Sequence, residues 1–402
     1  PPSSSSSSPH HQLSYRVSSS DVRAFSIIGA GAGGSVRRAV HVPAHRFCAL
    51  KTATVFERNK RRQLVQELKA LCDSPKEPHI VRFFGAYYAP ETNQIHVCLE
   101  YVDGGSLDRV VARAGRAPAR VLGRVARGVA EGVAFLHDHL RLAHRDVKPS
   151  NILIRRTGEP KITDFGIVGD LRGTKKELLD SFKGTMCYMS PERCENRAYG
   201  RAADVWSVGI ALLECAVGRY PYDVGDGGPV GLMMQIANDP TPVPERKDPE
   251  FFPPGLERLV LACTRKDPEA RPTAREISLD PWVAEQMRVV PPSEVAAYVC
   301  SAVSEDEHLR SNAETFLKHY HALVDDLGAD ARTLASLYRG SSCLTTAQGD
   351  RARGGDAIGA ALSRRAAKGA GALRRVTRTV DVSPGGVEGG MLIVASGTLE
   401  SE

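Results

Sequence analysis

The feature that most constrains this chain is a set of charged and polar residues in fixed order. His144-Arg-Asp146-Val-Lys148-Pro-Ser-Asn151 is followed thirteen residues later by Asp164-Phe165-Gly166, and Ser190-Pro-Glu192 comes after both. Upstream, Gly29-Ala30-Gly31-Ala-Gly-Gly34-Ser-Val36 precedes Ala49-Leu-Lys51, with Lys51 fifteen residues past Val36. Ordered motifs at these spacings leave no room for coincidence. Chemically the set suits transfer of a phosphoryl group, which depends on positioning and electrostatics more than on covalent help.

The glycines come first. Without side chains their backbone can close over phosphates, with N–H groups facing anionic oxygens. A dinucleotide fold would also use G-x-G-x-x-G, but its loop opens directly into a helix. Here Val36, Arg38 and Val40 alternate as in a strand, which predicts a hairpin. Lys51 closes a later strand and brings an ammonium to where it could hold the α- and β-phosphates. Glu67, on a segment with Leu64, Val65, Leu68 and Leu71 at helical spacing, is its expected ion-pair partner. Either residue alone would read as a solvated surface charge.

Together these motifs resemble the protein kinases. The resemblance implies ATP and Mg2+ as cofactors, with Asp146 accepting the substrate hydroxyl proton and Lys148 neutralising charge on the transferring γ-phosphoryl group. Asn151 and Asp164 would hold magnesium. Ile28, Gly29, Ala30, Gly31, Gly34, Val36, Ala49 and Lys51 would frame the nucleotide. A vestigial kinase would typically lack Lys51, Asp146 or Asp164, and all three are present.

The rest of the chain sets the limits. At 402 residues it is long enough for a core of about 250 residues plus a smaller unit. A net charge of +6 does not by itself imply nucleic acid, because nucleic-acid binders concentrate basic residues on one face. Nine cysteines include no C-x-x-C pair, which fits a reducing compartment. The most apolar stretch, Val205 to Val217, contains Glu214 and falls short of the roughly 20 residues a membrane span needs, so it predicts a buried helix. No signal-peptide core is visible, and a cytoplasmic protein with nuclear access is expected.

Residues 1–20 are dominated by Pro and Ser and predict a disordered arm. Phe25-Ser-Ile-Ile, Phe47-Cys-Ala-Leu, Ile80-Val-Arg-Phe-Phe and Ile95-His-Val-Cys-Leu read as strands, and helical periodicity takes over from Ser106 to Trp282. The expected fold class is α+β: a bilobal kinase over 21–283 with a small β-rich lobe and a larger helical lobe. A break at Val-Val-Pro-Pro-Ser-Glu predicts a linker over 284–304, and a second domain over 305–402.

Further motifs narrow the resemblance. Glu100-Tyr-Val-Asp-Gly-Gly-Ser-Leu-Asp108, Gly184-Thr-Met-Cys-Tyr-Met-Ser-Pro-Glu-Arg193 and Ala216-Val-Gly-Arg-Tyr-Pro-Tyr222 are similar to the MAP kinase kinases from about Asp21 to Trp282. That resemblance implies a dual-specificity enzyme acting on Thr and Tyr of a MAP kinase activation loop. Leu99 would be the gatekeeper, and Glu100 to Val102 the hinge that meets adenine. Arg271 would pair with Glu192, and Asp204 would anchor the catalytic loop. An upstream MAP kinase kinase kinase would phosphorylate Ser181 and Thr174, ordering the loop through contacts such as Arg145. Six residues separate this pair, one more than in plant relatives and three more than in animal ones, and a solvated loop threonine is the other reading of Thr174. The run of basic residues followed by aliphatics that many relatives use for docking is absent from the Pro/Ser arm.

In the last hundred residues, His319-Tyr-His-Ala-Leu-Val-Asp-Asp, Leu334-Ala-Ser-Leu-Tyr, Ser341-Ser-Cys-Leu-Thr, Gly355-Asp-Ala-Ile and Met391-Leu-Ile-Val-Ala-Ser-Gly-Thr-Leu resemble a nuclear-transport-factor-2-like domain, here incomplete. This implies helices on a curved antiparallel sheet, and a kinase joined to such a domain resembles one plant and green-algal subgroup of MAP kinase kinases; the fold hosts many functions, and an interaction or dimerisation role is the expectation here. Basic residues between Arg351 and Arg378 read as a solvated surface, since no aromatic follows Tyr338 to stack a base. Neither nucleic acid nor membrane is expected as a partner. Two other functions remain open on these residues: a Ser/Thr kinase with substrates other than MAP kinases, and a signalling scaffold.

Overall fold

A computed structural model describes residues 17–31, 34–42, 46–54, 77–164, 187–223, 227–245, 248–302, 315, 343–345, 351–353, 373–384 and 391–401. The chain forms two compact units, the larger of which contains Ser26–Arg38 and Cys48–Ala302.

A five-stranded sheet opens the fold. Its strands are β1 (Val22–Gly31), β2 (Gly34–His41), β3 (Arg46–Thr54), β4 (Phe83–Ala89) and β5 (Gln94–Glu100), in the order β1-β2-β3-β5-β4. The glycine-rich segment is therefore followed by a strand and not by a helix. In β3, Cys48, Leu50 and Thr52 are buried while Ala49 and Lys51 are half-buried, so the period of two puts Ala49 and Lys51 on the opposite face. Antiparallel pairing with β5 sets Ala49 opposite Leu99 and Lys51 opposite Val97. Of the strand Ile80-Val-Arg-Phe-Phe, only Phe83 onward joins the sheet, and Ile80 instead bridges Ile162.

Past the hinge the fold is helical. α1 (Leu107–Ala114) and the long α2 (Ala119–Asp138) come first. A short hairpin of β6 (Ile152–Ile154) and β7 (Pro160–Ile162) follows. α2 buries Val121, Leu122, Val125, Val129, Val133 and Leu136 at helical spacing. Gly132 in this helix is required by close approach: a Cβ there would stand 2.8 Å from the His79 carbonyl oxygen. A one-turn helix, α3 (Pro191–Cys194), precedes α4 (Arg201–Val217), whose all-round apolar sequence makes it the buried centre of the helical part. α4 ends at Gly218, whose left-handed φ of 77° supplies the C-cap. Trp206 and Ile210 of α4 form a core with Tyr222 and with Leu232 and Ile236 of α5 (Gly228–Asn238). α6 (Pro254–Cys263), α7 (Ala274–Ser278) and α8 (Pro281–Val289) complete the bundle.

Two expectations need correction. Most of the linker expected over 284–304 is instead helix: α8 runs to Val289 and α9 covers Pro292–Ala302, while residues 303–304 lie outside the described residues. Pro291-Pro292 starts a helix here instead of ending order, since proline at the first helical position has no N–H to lose. α9 buries Val295 and Val299 completely, its Glu294 takes both ends of the Arg120 guanidinium at 2.9 and 3.0 Å, and Tyr298 donates to the Gly115 carbonyl at 2.8 Å. In the N-terminal arm, Val17 is buried and Ser19–Asp21 form a 3-10 turn in which Ser18 and Asp21 cap one another; residues 1–16 lie outside the described residues.

The second unit takes in Arg23–Phe25, Ala39–Phe47 and the chain from Val303. Its described strands after Val303 form two antiparallel pairs, β8 (Cys343–Thr345) with β9 (Arg351–Arg353) and β10 (Leu373–Pro384) with β11 (Met391–Ser401). The helices implied around His319 and Leu334 lie outside the described residues. Among the described residues no helix is long and apolar enough to cross a membrane.

Candidate active site

The site grows from the loop between α2 and β6. This loop is held from below by one buried carboxylate: Asp204, near the start of α4, accepts the backbone N–H groups of His144 and Arg145, each at 2.7 Å. His137, from the last turn of α2, lies 2.8 Å from the same carboxylate through its Nε2. His144 is fully buried. Its Nε2 donates to the Thr163 carbonyl at 2.9 Å, while its Nδ1 accepts the N–H of Asp146 at 3.2 Å, an arrangement that fixes the neutral tautomer. Arg145 and Asp164 both adopt positive φ, 68° and 62°, which costs on the order of 1–3 kcal/mol each and persists only where the surroundings over-determine it.

On this frame the sequence-predicted residues converge. Asn151, in the 3-10 turn Pro149–Asn151, donates through Nδ2 to both the backbone oxygen and Oδ2 of Asp146, at 2.7 and 3.0 Å. Lys148 Nζ lies 2.9 Å from Asp146 Oδ1. Lys51 crosses from β3 to place its Nζ 2.6 Å from Asp164 Oδ1. Burial works against ionisation of Asp164, but the Lys51 charge and hydrogen bond, helped by the Lys148 charge, outweigh it and hold the carboxyl below its ordinary value. Two carboxylates, two ammonium groups and an amide thus form two neighbouring clusters, Lys51 with Asp164 and Asp146 with Lys148 and Asn151, with the Lys148 charge acting on Asp164.

The donor set fits a nucleotide with magnesium. Asn151 spends its amide nitrogen on Asp146, which leaves its side-chain oxygen for a cation, and Asp164 offers a carboxylate held ionised. Among the described residues no cluster of three or more His, Cys, Asp or Glu could hold a metal alone. The Asp164 carboxylate and the Asn151 side-chain oxygen suit Mg2+, which is bound through one or two carboxylates and completes its shell with phosphates and water. Above the site, Gly34 sits at φ +142°, and a Cβ there would come 1.7 Å from the Thr52 oxygen, so only glycine lets β2 lie this close to β3.

The other expected positions fall as follows. Ile28, Gly29, Ala30 and Gly31 lie in β1, Gly34 and Val36 in β2, and Ala49 in β3 opposite the half-buried Leu99. Glu100 spends its side chain on structure: it pairs with Arg155, lies 3.1 Å from Lys161 Nζ, and accepts the Arg82 N–H at 3.1 Å. Its N–H donates to the Arg82 carbonyl at 2.8 Å, and the Val102 carbonyl accepts from Gly105, so a ligand would meet the remaining backbone groups of Glu100 to Val102. Glu67, Phe165, Gly166, Thr174, Ser181 and Thr185 lie outside the described residues. Sequence reasoning missed His137, and also Arg193, which donates to the Arg145 carbonyl at 2.8 Å. Arg193 stands inside a motif already singled out and could have been found; nothing near His137 marks it.

Residues 22–283 match the protein kinase domain, and the chain belongs to the protein kinase family. Its relatives place it in the MAP kinase kinase group. It is 40% identical over 328 residues to mitogen-activated protein kinase kinase 3 of Arabidopsis thaliana, covering 80% of this chain and 61% of that protein. It is 34% identical to the dual specificity mitogen-activated protein kinase kinase dSOR1 of Drosophila melanogaster, over 71% of this chain and 76% of the relative. Identity to the mitogen-activated protein kinase kinase SIPKK of Nicotiana tabacum is 37%, over 65% and 73%. The chain thus spans less than two thirds of the Arabidopsis relative.

Proposed function

We propose that the chain transfers the γ-phosphate of ATP to both Thr and Tyr in the activation loop of a MAP kinase, and that phosphorylation switches it on. The observation that carries this reading is the pair of clusters formed by Lys51 with Asp164 and by Asp146 with Lys148 and Asn151. The names of the relatives supply the substrate class.

In this reading Asp146 orients the substrate hydroxyl and accepts its proton, and Lys148, 2.9 Å from Asp146, meets the negative charge that builds on the transferring group. Asn151 and Asp164 hold Mg2+, which when bound neutralises the phosphates. Lys51 holds the α- and β-phosphates with Glu67 as its ion-pair partner. Ile28, Gly29, Ala30, Gly31, Gly34, Val36 and Ala49 frame the nucleotide, Leu99 guards the back of the adenine site, and the backbone of Glu100 to Val102 meets its edge. Ser181 and Thr174 are the sites on which a MAP kinase kinase kinase acts.

Residues 305–402 form a nuclear-transport-factor-2-like interaction or dimerisation module in this reading. Two antiparallel strand pairs are compatible with it, and the Arabidopsis alignment, at 328 residues, is longer than the kinase match over 22–283. The protein works in the cytoplasm with access to the nucleus.

The test is label transfer from Mg-ATP to catalytically dead MAP kinases. Transfer that rises in Thr174→Glu/Ser181→Glu and vanishes in Asp146→Ala is expected; transfer unaffected by Asp146→Ala overturns the reading.

A further inference from the structure

Resting on the reading of this site as a nucleotide site, we propose that Arg109 is a positioning residue that latches the glycine-rich strand to the helix after the hinge and so holds the nucleotide in place. The carrying observation is one hydrogen bond between residues 81 positions apart: Arg109 Nη1, on α1, donates to the carbonyl oxygen of Ile28, on β1, at 2.9 Å.

The two partners differ in how firmly they are held. β1 lies at the edge of the sheet with only β2 beside it, and its Ile27 is 63% exposed. An edge strand is held by the sheet on one side alone, so a donor from outside the sheet fixes it where it bonds. α1 is anchored on several sides. It buries Leu107, Val110 and Val111, and α9 grips its flanks. Tyr298 donates to the carbonyl of Gly115, the C-cap of α1, at 2.8 Å. Val299 lies against Gly104, where a Cβ would meet Val299 Cγ1 at 2.9 Å and the Ile154 oxygen at 2.3 Å. The helix is a fixed post and the strand is what the latch restrains.

The sheet side and the helical side are also tied together near β7. Val81 N–H donates to Ile162 O at 2.9 Å, Ile162 N–H to His79 O at 2.8 Å, and Lys161 Nζ to Pro78 O at 2.6 Å. Those bonds involve strand-flanking backbone well away in sequence from the glycine-rich segment. Arg109 adds a tie at the residue directly before Gly29. Breaking that tie lets β1 lift without disturbing the other three, which predicts faster loss of nucleotide and an unaltered chemical step. A latch of this kind acts on whatever lies beneath β1, charged or not. That separates it from simple attraction between a guanidinium and phosphates.

The experiment measures dissociation constants of Mg-ATP by calorimetry, and of adenosine by displacement of a fluorescent nucleotide, for the full chain and for Arg109→Ala and Arg109→Lys. One exposed hydrogen bond contributes modestly, so Arg109→Ala is expected to weaken both ligands by a similar factor of about 3–10, with kcat within about twofold and KM for ATP raised in parallel. Arg109→Lys, which keeps a donor, recovers most of the affinity for both. Weakening of ATP alone, with adenosine unchanged, overturns the latch in favour of a phosphate contact. Unchanged binding of both ligands to Arg109→Ala also overturns it. Failure of the wild-type chain to bind Mg-ATP at all sinks the nucleotide-site reading itself, which is a different result.

Discussion

The guanidinium of Arg271 and the carboxylate of Glu192 meet through two parallel hydrogen bonds of 2.8 Å each, with both side chains buried. The remaining three N–H groups of Arg271 reach the carbonyls of Arg265, Ala202 and Lys266 at 2.7, 3.0 and 3.1 Å. Every donor is used, which is what makes a buried pair tolerable. Removing one partner strands the other, so Glu192→Ala is expected to cost about 3–5 kcal/mol of stability. The measurement is a urea unfolding curve, in which the midpoint falls and the slope is unchanged. Arg271→Lys keeps the charge but offers three donors to five acceptors, and it too lowers the midpoint.

Glu192 also sets an acid limit. Burial raises its pKa, but the paired hydrogen bonds from Arg271, a backbone N–H and the Arg271 charge more than reverse this and hold it below the ordinary 4.5. A folded value below the unfolded one means the stabilisation is fully present above about pH 4.5 and is lost as pH falls through the folded value. Asp164 contributes with the same sign. Unfolding free energy measured between neutral and acid pH should therefore fall below pH 4.5, and fall less steeply in Glu192→Gln.

Asp204 supports the catalytic loop and touches no reacting atom. Asp204→Ala leaves the N–H groups of His144 and Arg145 without their acceptor inside the protein, at a cost of about 1–3 kcal/mol for each stranded group. Because Asp146 and Asn151 follow in the same loop, the expected result is a loss in kcat of about 100-fold with KM for ATP changed far less, consistent with the penalty for misplacing a reacting group. Steady-state kinetics at varied ATP decide it.

If α9 belongs to the kinase unit, Val299→Asp puts a carboxylate where the native side chain is 0% exposed. An unpaired buried charge of this kind should cost about 3 kcal/mol or more, read as a lowered unfolding midpoint of the whole kinase unit. A tolerated substitution would restore the linker reading.

Legibility in the sequence followed how local the signal was. Asp146, Lys148, Asn151 and Asp164 stand in contiguous motifs whose spacing is itself the evidence, and the strand after the glycines was readable from Val36, Arg38 and Val40. The buried helix was readable from the largely apolar run of Val205 to Val217, in which Glu214 is the one charge. His137 and Arg109 were not readable, because each acts through a partner 60 or more residues away and neither interrupts its helix pattern. The pairing of Lys51 with Asp164 also lies beyond the sequence, which offered only Glu67 as a partner at helical spacing. The helix α9 was missed for a different reason. A double proline after two valines reads as a break, yet Val295 and Val299, four residues apart, already carry one face of a helix.

The central claim is phosphorylation of a MAP kinase on two residue types. The most direct measurement is phosphosite mapping by mass spectrometry on a catalytically dead MAP kinase after incubation with Mg-ATP and either Thr174→Glu/Ser181→Glu or the same variant carrying Asp146→Ala. The account predicts phosphate on both the Thr and the Tyr of the activation loop with the first enzyme and on neither with the second. Phosphate confined to Ser and Thr outside that loop, or labelling that survives Asp146→Ala, would contradict it.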